Sequence, residues 1–219
     1  MSTSEDFGAS YKKLSFFGPK LGFVKLNSSV VDKMIDLTDG ILNDDTRNSH
    51  GSHLAGQIAE EPIIDLDRLK ESRMDEFINQ VLKQHVSVTL NTDRPISTQI
   101  TDMWIVSQYE NEYNPVHWHE GCTLSCVMYL KIPEYTPRNI QGKSDQDGKI
   151  VFINNNPSSP HMSMESPLVS FSPEVGDLFI FPSRLLHCVY PFIGDGERRS
   201  VSFNAIHYYG DSETKRLFL

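Results

Sequence analysis

Two histidines stand one residue apart in "NPVHWHEG", residues 114–121, beside a tryptophan and a carboxylate. Alternate side chains of a β-strand lie on the same face, so His117 and His119 would point toward one place. Two imidazoles in this arrangement can hold a divalent metal ion. The alternative is a solvent-facing pair beside a turn, and the spacing alone leaves both interpretations open.

A third metal ligand has to come from another strand. The segment "PEVGDLFIFPSRLLHCVYPF", residues 173–192, predicts a turn, an apolar strand, a bend and then a second strand that begins at His187. A histidine among apolar residues is more often a core residue than a ligand, but His117 and His119 need a partner from a neighbouring strand. Imidazole suits iron, zinc, copper or nickel, so the ligand type does not select the metal.

The segment "GERRSVSFNAIHYY", residues 196–209, alternates between an apolar and a polar face. The apolar face consists of Val201, Phe203 and Ala205, and the polar face of Arg198, Ser200, Ser202 and Asn204. If the apolar face packs on helices, the polar face lines the interior, where an unpaired guanidinium is costly. We therefore predict that Arg198, with Ser200 beside it, binds the carboxylate of a ligand.

Two features of this prediction stay open at the level of sequence. Arg198 could instead lie on an edge strand beside Glu197, and a bulge of one residue would exchange Arg198 with Arg199, which we expect at the surface. In "TLSCVMYLKIP", residues 123–133, Tyr129 lies on the face opposite an unbroken apolar one. Tyr129 could donate a hydrogen bond to the same anion if its face is the interior one; otherwise that face is solvated.

Two helical patterns precede these segments. One covers residues 28–42, with Ser28 or Ser29 as the expected N-cap, and the other covers about residues 66–90. The polar segment 43–62 between them predicts a long loop, which in a compact domain is often functional or mobile.

From about residue 97 the sequence changes to short runs of β-branched and aromatic residues separated by Pro, Gly and Asn. The predicted strands are 98–109, 114–120, 123–132, 149–153, 168–171, 177–181, 186–190 and 198–208. Short strands without intervening helices indicate an antiparallel sandwich or barrel. The prediction is one α+β, mainly β domain over 1–219, with a helical N-terminal part (1–96) that braces a strand-rich core (97–219).

Composition limits the function classes. The formal net charge is −9, with 29 acidic against 20 basic residues, which argues against nucleic acid as a partner. The start of the chain lacks a secretory pattern, and no apolar run has the roughly 20 residues that cross a bilayer. Cys122, Cys126 and Cys188 indicate structural thiols in a reducing compartment. We expect a cytoplasmic protein, in the host cytoplasm if it is viral.

The order of these motifs resembles the Fe(II)/2-oxoglutarate-dependent dioxygenases. The similarity covers about residues 103–207 and rests on H-x-H, then "GDLFIFPSRLLH", then R-x-S before "FN". "MWIVSQYENEYNPVHWHEG", "LSCVMYLKIP" and "RRSVSFNA" are similar to a group of such oxygenases from marine bacteria and phages. The resemblance implies a double-stranded β-helix, or jelly roll, in agreement with the strand-rich second half.

Carried over residue by residue, the resemblance assigns His117 and His187 as metal ligands. It also assigns Arg198 and Ser200 to the distal carboxylate of 2-oxoglutarate, with Tyr129 as a further donor. The family pattern departs at His119, which stands where the family has Asp or Glu. The third ligand would be His119, or else Glu120 brought round by a bulge, or water in a two-histidine site; three histidines are preferred.

The resemblance implies the cofactors Fe(II) and 2-oxoglutarate, with O2 and an unidentified substrate as partners. The expected reaction hydroxylates that substrate while 2-oxoglutarate is decarboxylated to succinate. A cupin-like metal-binding protein without oxygenase activity is the alternative, although the usual cupin glutamate is missing and Arg198 would have no task. A non-catalytic structural jelly roll would leave the histidines and Arg198 without a shared role.

Overall fold

The structure is a computed structural model in which residues 9–14, 18–154, 167–210 and 216–217 are described. Two antiparallel sheets stack on each other, and helices cover the outer face of the larger sheet. The fold is α+β and mainly β, and it has the double-stranded β-helix architecture that the sequence predicted.

The helices are α1 (Ser28–Leu42), α2 (Leu66–Glu71) and α3 (Met74–Leu90), with a short 3-10 turn at Gly51–His53. The first prediction is confirmed in its bounds, but Asn27 is the N-cap, and its side chain accepts a hydrogen bond from the Val30 amide at 3.0 Å. The second predicted helix is two helices, because Arg73 between them adopts a left-handed conformation with φ 59° that interrupts the helical backbone.

The strands follow the predicted bounds closely in the second half of the chain. They are β1 (Ala9–Leu14), β2 (Leu21–Leu26), β3 (Ile96–Gln108), β4 (Asn114–His117), β5 (Leu124–Lys131), β6 (Ile150–Ile153), β7 (Leu168–Phe171), β8 (Asp177–Pro182), β9 (Leu186–Val189), β10 (Arg198–Tyr209) and β11 (Arg216–Leu217). Two of them, β1 and β2, lie in the N-terminal part for which only helices were predicted.

The larger sheet has the strand order β1-β2-β8-β5-β10, and β3 and β11 also pair with β10. The smaller sheet has the order β4-β9-β6-β7. Since β2 pairs with β8, the N-terminal part contributes strands to the large sheet as well as helices outside it. No helix among the described residues is long and apolar enough to span a membrane.

The two faces of the large sheet pack against different partners. Its outer face forms a core with the helices, in which Val201, Phe203 and Ala205 are fully buried. This confirms the prediction that the apolar face of β10 packs on helices. A second core lies between the sheets and includes Tyr129 and Phe181. The polar face of β10 therefore points into the interior of the sandwich.

Residues 48–64, here named the strap, connect α1 to α2 and run along β3. Single bridges join Gln57 to Tyr113, Glu60 to Ser107 and Ile63 to Trp104. These backbone bonds fix the predicted loop as an extra layer beside β3, and His53, Leu54, Ala55 and Glu61 of the strap line the interior cavity.

Candidate metal centre and anion site

Three histidines converge between the two sheets. His117 is the last residue of β4, His119 follows the end of that strand, and His187 lies opposite His117 on β9 in the register of the small sheet. One ring nitrogen from each of the three residues lies within 4.8 Å of the others. The sequence prediction that His187 lies beside the H-x-H pair therefore agrees with the geometry.

Backbone contacts orient two of the rings. His117 Nδ1 donates to the carbonyl of Pro115 at 2.7 Å, and His187 Nδ1 donates to the carbonyl of Leu185 at 2.9 Å. A proton held at Nδ1 leaves the Nε2 lone pair free, which is a common arrangement around metal-binding histidines. The backbone amide of His119 donates to the carbonyl of Ser183 at 2.9 Å and fixes the segment that follows β4.

All three imidazoles are poised in the neutral form, which is the form that binds metal. Burial lowers the pKa of His117 and lowers the pKa of His187 well below its ordinary value. Burial, with the neighbouring His117, lowers the pKa of His119 to about 4. Three unprotonated nitrogen donors facing one point fit an Fe(II) ion, since imidazole is a suitable iron ligand.

Glu120 lies apart from this group. Its side chain is exposed at the surface and does not belong to the cluster of the three histidines. The geometry favours His119 over Glu120 as the third donor.

Arg198 lies in the interior, and only 1% of it is exposed. Its Nη1 donates to Gln108 Oε1 at 2.7 Å, whereas Nε and Nη2 are buried and have no hydrogen-bond partner of ordinary geometry within the described ranges. A buried guanidinium with two unpaired N–H groups and no carboxylate is costly unless an anion binds. The predicted anion site at Arg198 therefore fits the carboxylate of a ligand.

Two tyrosine hydroxyls lie close to this guanidinium. The Arg198 Cζ atom lies 4.8 Å from the ring centroid of Tyr129. The hydroxyls of Tyr129 and Tyr135 are buried and have no hydrogen-bond partner of ordinary geometry among the described residues. Burial raises the pKa of Tyr129 to about 12 and raises the pKa of Tyr135, so both hydroxyls keep the proton that an anion would accept.

Tyr135 and Gln108 were missed by the sequence reasoning. Tyr135 follows β5 in a Pro-containing segment that carries no periodic signal, and Gln108 is the last residue of β3. Gln108 pairs directly with Arg198 in the register of β3 and β10, but this register is known only from the structure. Ser200 is 2% exposed and lines the same cavity as Arg198.

Arg199 is not the surface residue that the sequence predicted. It is 4% exposed and lies on the helix side of β10. Its guanidinium donates to Glu197, to Thr38 Oγ1 and to Asp39, the last two on α1. The alternation of β10 places Arg199 opposite Arg198, as predicted, but α1 covers that face and pairs the charge.

The histidines and the anion site share one cavity of about 180 Å³. Its wall includes the three histidines, Arg198, Tyr129 and Ser200 together with residues of the strap. His53 is part of this wall, and the ring centroid of His50 lies 5.2 Å from that of Trp104, which also lines the cavity.

Comparison with known proteins agrees with this geometry. Residues 102–204 match the sequence model of a family described as "Putative 2OG-Fe(II) oxygenase". This region is somewhat less than half of the chain, and it carries the three histidines and Arg198. No curated protein sequence matches the chain.

Solved structures with the same fold include a Pseudomonas putida prolyl-4-hydroxylase, at 15% identity and a TM-score of 0.50, over 91% of this chain and 94% of that one. A Trichoplax adhaerens prolyl hydroxylase in complex with a peptide of hypoxia inducible factor has 14% identity and a TM-score of 0.52, over 92% and 84%. The epimerase SnoN in complex with Fe3+, α-ketoglutarate and nogalamycin RO has 13% identity and a TM-score of 0.55, over 87% and 81%.

The class of the protein follows from the family and agrees with the site. It is an oxidoreductase of the 2OG-Fe(II) oxygenase type, and its cofactors are Fe(II) and 2-oxoglutarate. The three imidazoles and the unpaired polar groups around Arg198 are the features of this chain that fit the two cofactors.

Proposed function

We propose that this protein hydroxylates a C–H bond of its substrate with consumption of O2 and decarboxylation of 2-oxoglutarate to succinate. His117, His119 and His187 hold the Fe(II) ion. Arg198, Tyr129 and Ser200 hold the distal carboxylate of 2-oxoglutarate, and we add Tyr135 to this set.

The observation that supports this proposal best is the unpaired state of Arg198. The side chain is buried in the same cavity as the three imidazoles, and two of its nitrogens have no partner in the described part of the chain. Two tyrosine hydroxyls without partners lie nearby. Together they offer four unused hydrogen-bond donors for an anion that also reaches the metal position.

The protein's own contribution is binding and orientation. The carbonyls of Pro115 and Leu185 keep two imidazoles in the tautomer that presents Nε2. Gln108 fixes the Arg198 guanidinium, and the neutral tyrosines supply hydrogen bonds without adding charge. Bound Fe(II) and 2-oxoglutarate would supply the oxidation itself.

The proposal is tested by anaerobic titration of the Fe(II)-loaded protein with 2-oxoglutarate. We expect the weak visible charge-transfer band of the chelate in the wild type. In Arg198→Met the band should need a far higher 2-oxoglutarate concentration, while the iron content stays unchanged. Bound iron without any band in the wild type would favour the cupin-like alternative, and absence of iron binding would contradict the metal site.

A further inference from the structure

One carboxyl group in the cavity has no role in the proposed function. Glu61 belongs to the strap, lines the cavity and is only 2% exposed. Its Oε2 atom is buried and has no hydrogen-bond partner in the part of the chain that the structure describes. No lysine or arginine in the described ranges forms an ion pair with it, although a buried carboxylate normally has such a partner.

The backbone conformation of the strap directs the Glu61 carboxyl into the interior. Glu60 and Pro62 bond through their carbonyls to the Ser107 and Ile105 amides of β3, so Glu61 between them is held in an extended segment. In an extended segment neighbouring side chains point to opposite sides. Glu60 faces outward and pairs with Arg47 at 3.1 Å, whereas Glu61 faces the cavity.

Glycines leave room for the Glu61 carboxyl. A Cβ atom at Gly56 would lie 2.9 Å from Glu61 Oε1 and 2.7 Å from Asn114 Oδ1. A Cβ atom at Gly51 would lie 3.5 Å from Glu61 Oε2. The carboxyl and the Asn114 carbonyl oxygen thus share one space beside Gly56, and both residues line the cavity. Both of these oxygens are hydrogen-bond acceptors, so this part of the cavity calls for a donor.

The charges around Glu61 specify the kind of donor. Burial, and after it the like charge of the Glu112 carboxylate, raises the pKa of Glu61 to about 7. A bound cation would offset the cost of burying the Glu61 carboxylate and its repulsion by Glu112. The cavity wall also contains Trp104 and Trp118, and indole rings attract cations through their faces.

We propose that Glu61 binds the substrate and that the substrate carries a cationic nitrogen, as in an amine or a guanidine. This inference rests on the proposed oxygenase function, because it places the nitrogen in the cavity that holds the metal centre. Glu61 and Asn114 would accept the N–H bonds of that group, and the strap would select substrates by charge.

The test uses butylguanidinium as probe and butylurea as its neutral counterpart. The protein is loaded with Mn(II) and 2-oxoglutarate, and the paramagnetic relaxation of the probe protons reports binding close to the metal. Wild type should relax butylguanidinium far more than butylurea. Glu61→Gln should weaken butylguanidinium binding roughly tenfold, the value for one charge-assisted hydrogen bond.

Glu60→Gln is the matched control, since it makes the same change at the neighbouring residue, whose carboxyl pairs with Arg47 outside the cavity. It should bind the probe as the wild type does. Equal relaxation of the two probes by the wild type would overturn the proposal, as would unchanged butylguanidinium binding by Glu61→Gln, which would leave Glu61 as a group that only balances charge.

Failure of the proposed function would look different. Mn(II) and 2-oxoglutarate binding are measured on the same three proteins without a probe. If the wild type binds both but does not distinguish the probes, only the assignment of Glu61 falls. If the wild type binds neither, the oxygenase site and the inference built on it fall together.

Discussion

Two consecutive arginines of β10 are both buried, and their surroundings differ completely. Arg199, on the helix side of the sheet, is bonded by Glu197 at 2.6 and 2.7 Å, and also by Thr38 and Asp39. Arg198, on the cavity side, donates to Gln108, and two of its nitrogens have no hydrogen-bond partner among the residues described. The charge of Arg199 is paired within the fold, whereas Arg198 has no anionic partner among the described residues and fits a bound anion.

The contrast assigns protein stability and ligand binding to two neighbouring residues. A buried ion pair is costly to break, because the partner is left uncompensated. A buried charge without a partner destabilises the folded protein until a ligand supplies the counter-charge. Arg199 should therefore matter for folding and Arg198 for 2-oxoglutarate.

The largest effect is expected for Arg198→Met. Loss of the charge-assisted hydrogen bonds to the 2-oxoglutarate carboxylate should weaken binding at least ~100-fold. The free energy of unfolding without ligand should stay the same or rise, since a buried unpaired charge is removed. Isothermal titration and urea unfolding measure the two quantities. A clear loss of stability would mean that Arg198 is a structural residue.

Arg199→Met should have the opposite profile. Removal of the guanidinium leaves Lys131 as the remaining cationic partner of Asp39 and Glu197, at 3.3 and 3.6 Å. Asp39 is also partly exposed, so solvent screens its charge. We expect the free energy of unfolding to fall by about 2 kcal/mol. The affinity for 2-oxoglutarate, measured on the folded fraction, should change less than about twofold. A large loss of affinity would show that the two sides of β10 are coupled.

The sequence predicted much of this contrast, because strand alternation is a local property. The period of two in "RRSVSFNA" places Arg198 and Ser200 on one face and Arg199 on the other. What lies over each face is not local. The sequence gives no sign that Asp39 of α1 would reach Arg199, so the expectation of a surface residue was wrong.

The same limit applies to the metal centre and the strap. The spacing of His117 and His119 is visible in the sequence, and His187 could be proposed because that pair needs a third ligand from a neighbouring strand. Glu61 could not be found, since it lies in a polar segment without periodicity. Its burial results from backbone bonds of the strap to β3, which join residues 39 to 47 positions apart.

A smaller effect is expected for Tyr135→Phe. This change removes one of the unpaired hydroxyls near Arg198 and little else. The affinity for 2-oxoglutarate should fall roughly fivefold, corresponding to one neutral hydrogen bond of about 1 kcal/mol. Thermal stability without ligand should not fall. Unchanged affinity in a titration would remove Tyr135 from the anion site and leave Tyr129 as the donor.

The smallest effect concerns Asp39, the outer partner of Arg199. The hydrogen bond from Arg199 lowers the pKa of the Asp39 carboxyl, against the opposing effect of burial and with help from Lys131. A carboxyl whose pKa is lower in the folded protein adds stability above its unfolded value, and this stability is lost as pH falls through the folded value. Asp39→Asn should therefore cost less than about 1 kcal/mol at neutral pH, because the residue is partly exposed.

That difference between wild type and Asp39→Asn should shrink below roughly pH 4, where an aspartate of the unfolded chain takes up its proton. Urea unfolding of both proteins at neutral and acidic pH measures it. Arg199→Met supplies the control, because Asp39→Asn added to it should have a smaller further effect, limited to the pair of Asp39 with Lys131. A pH-independent difference would show that Asp39 stabilises α1 through its position on the helix, and that the charge match of Arg199 depends on Glu197 alone.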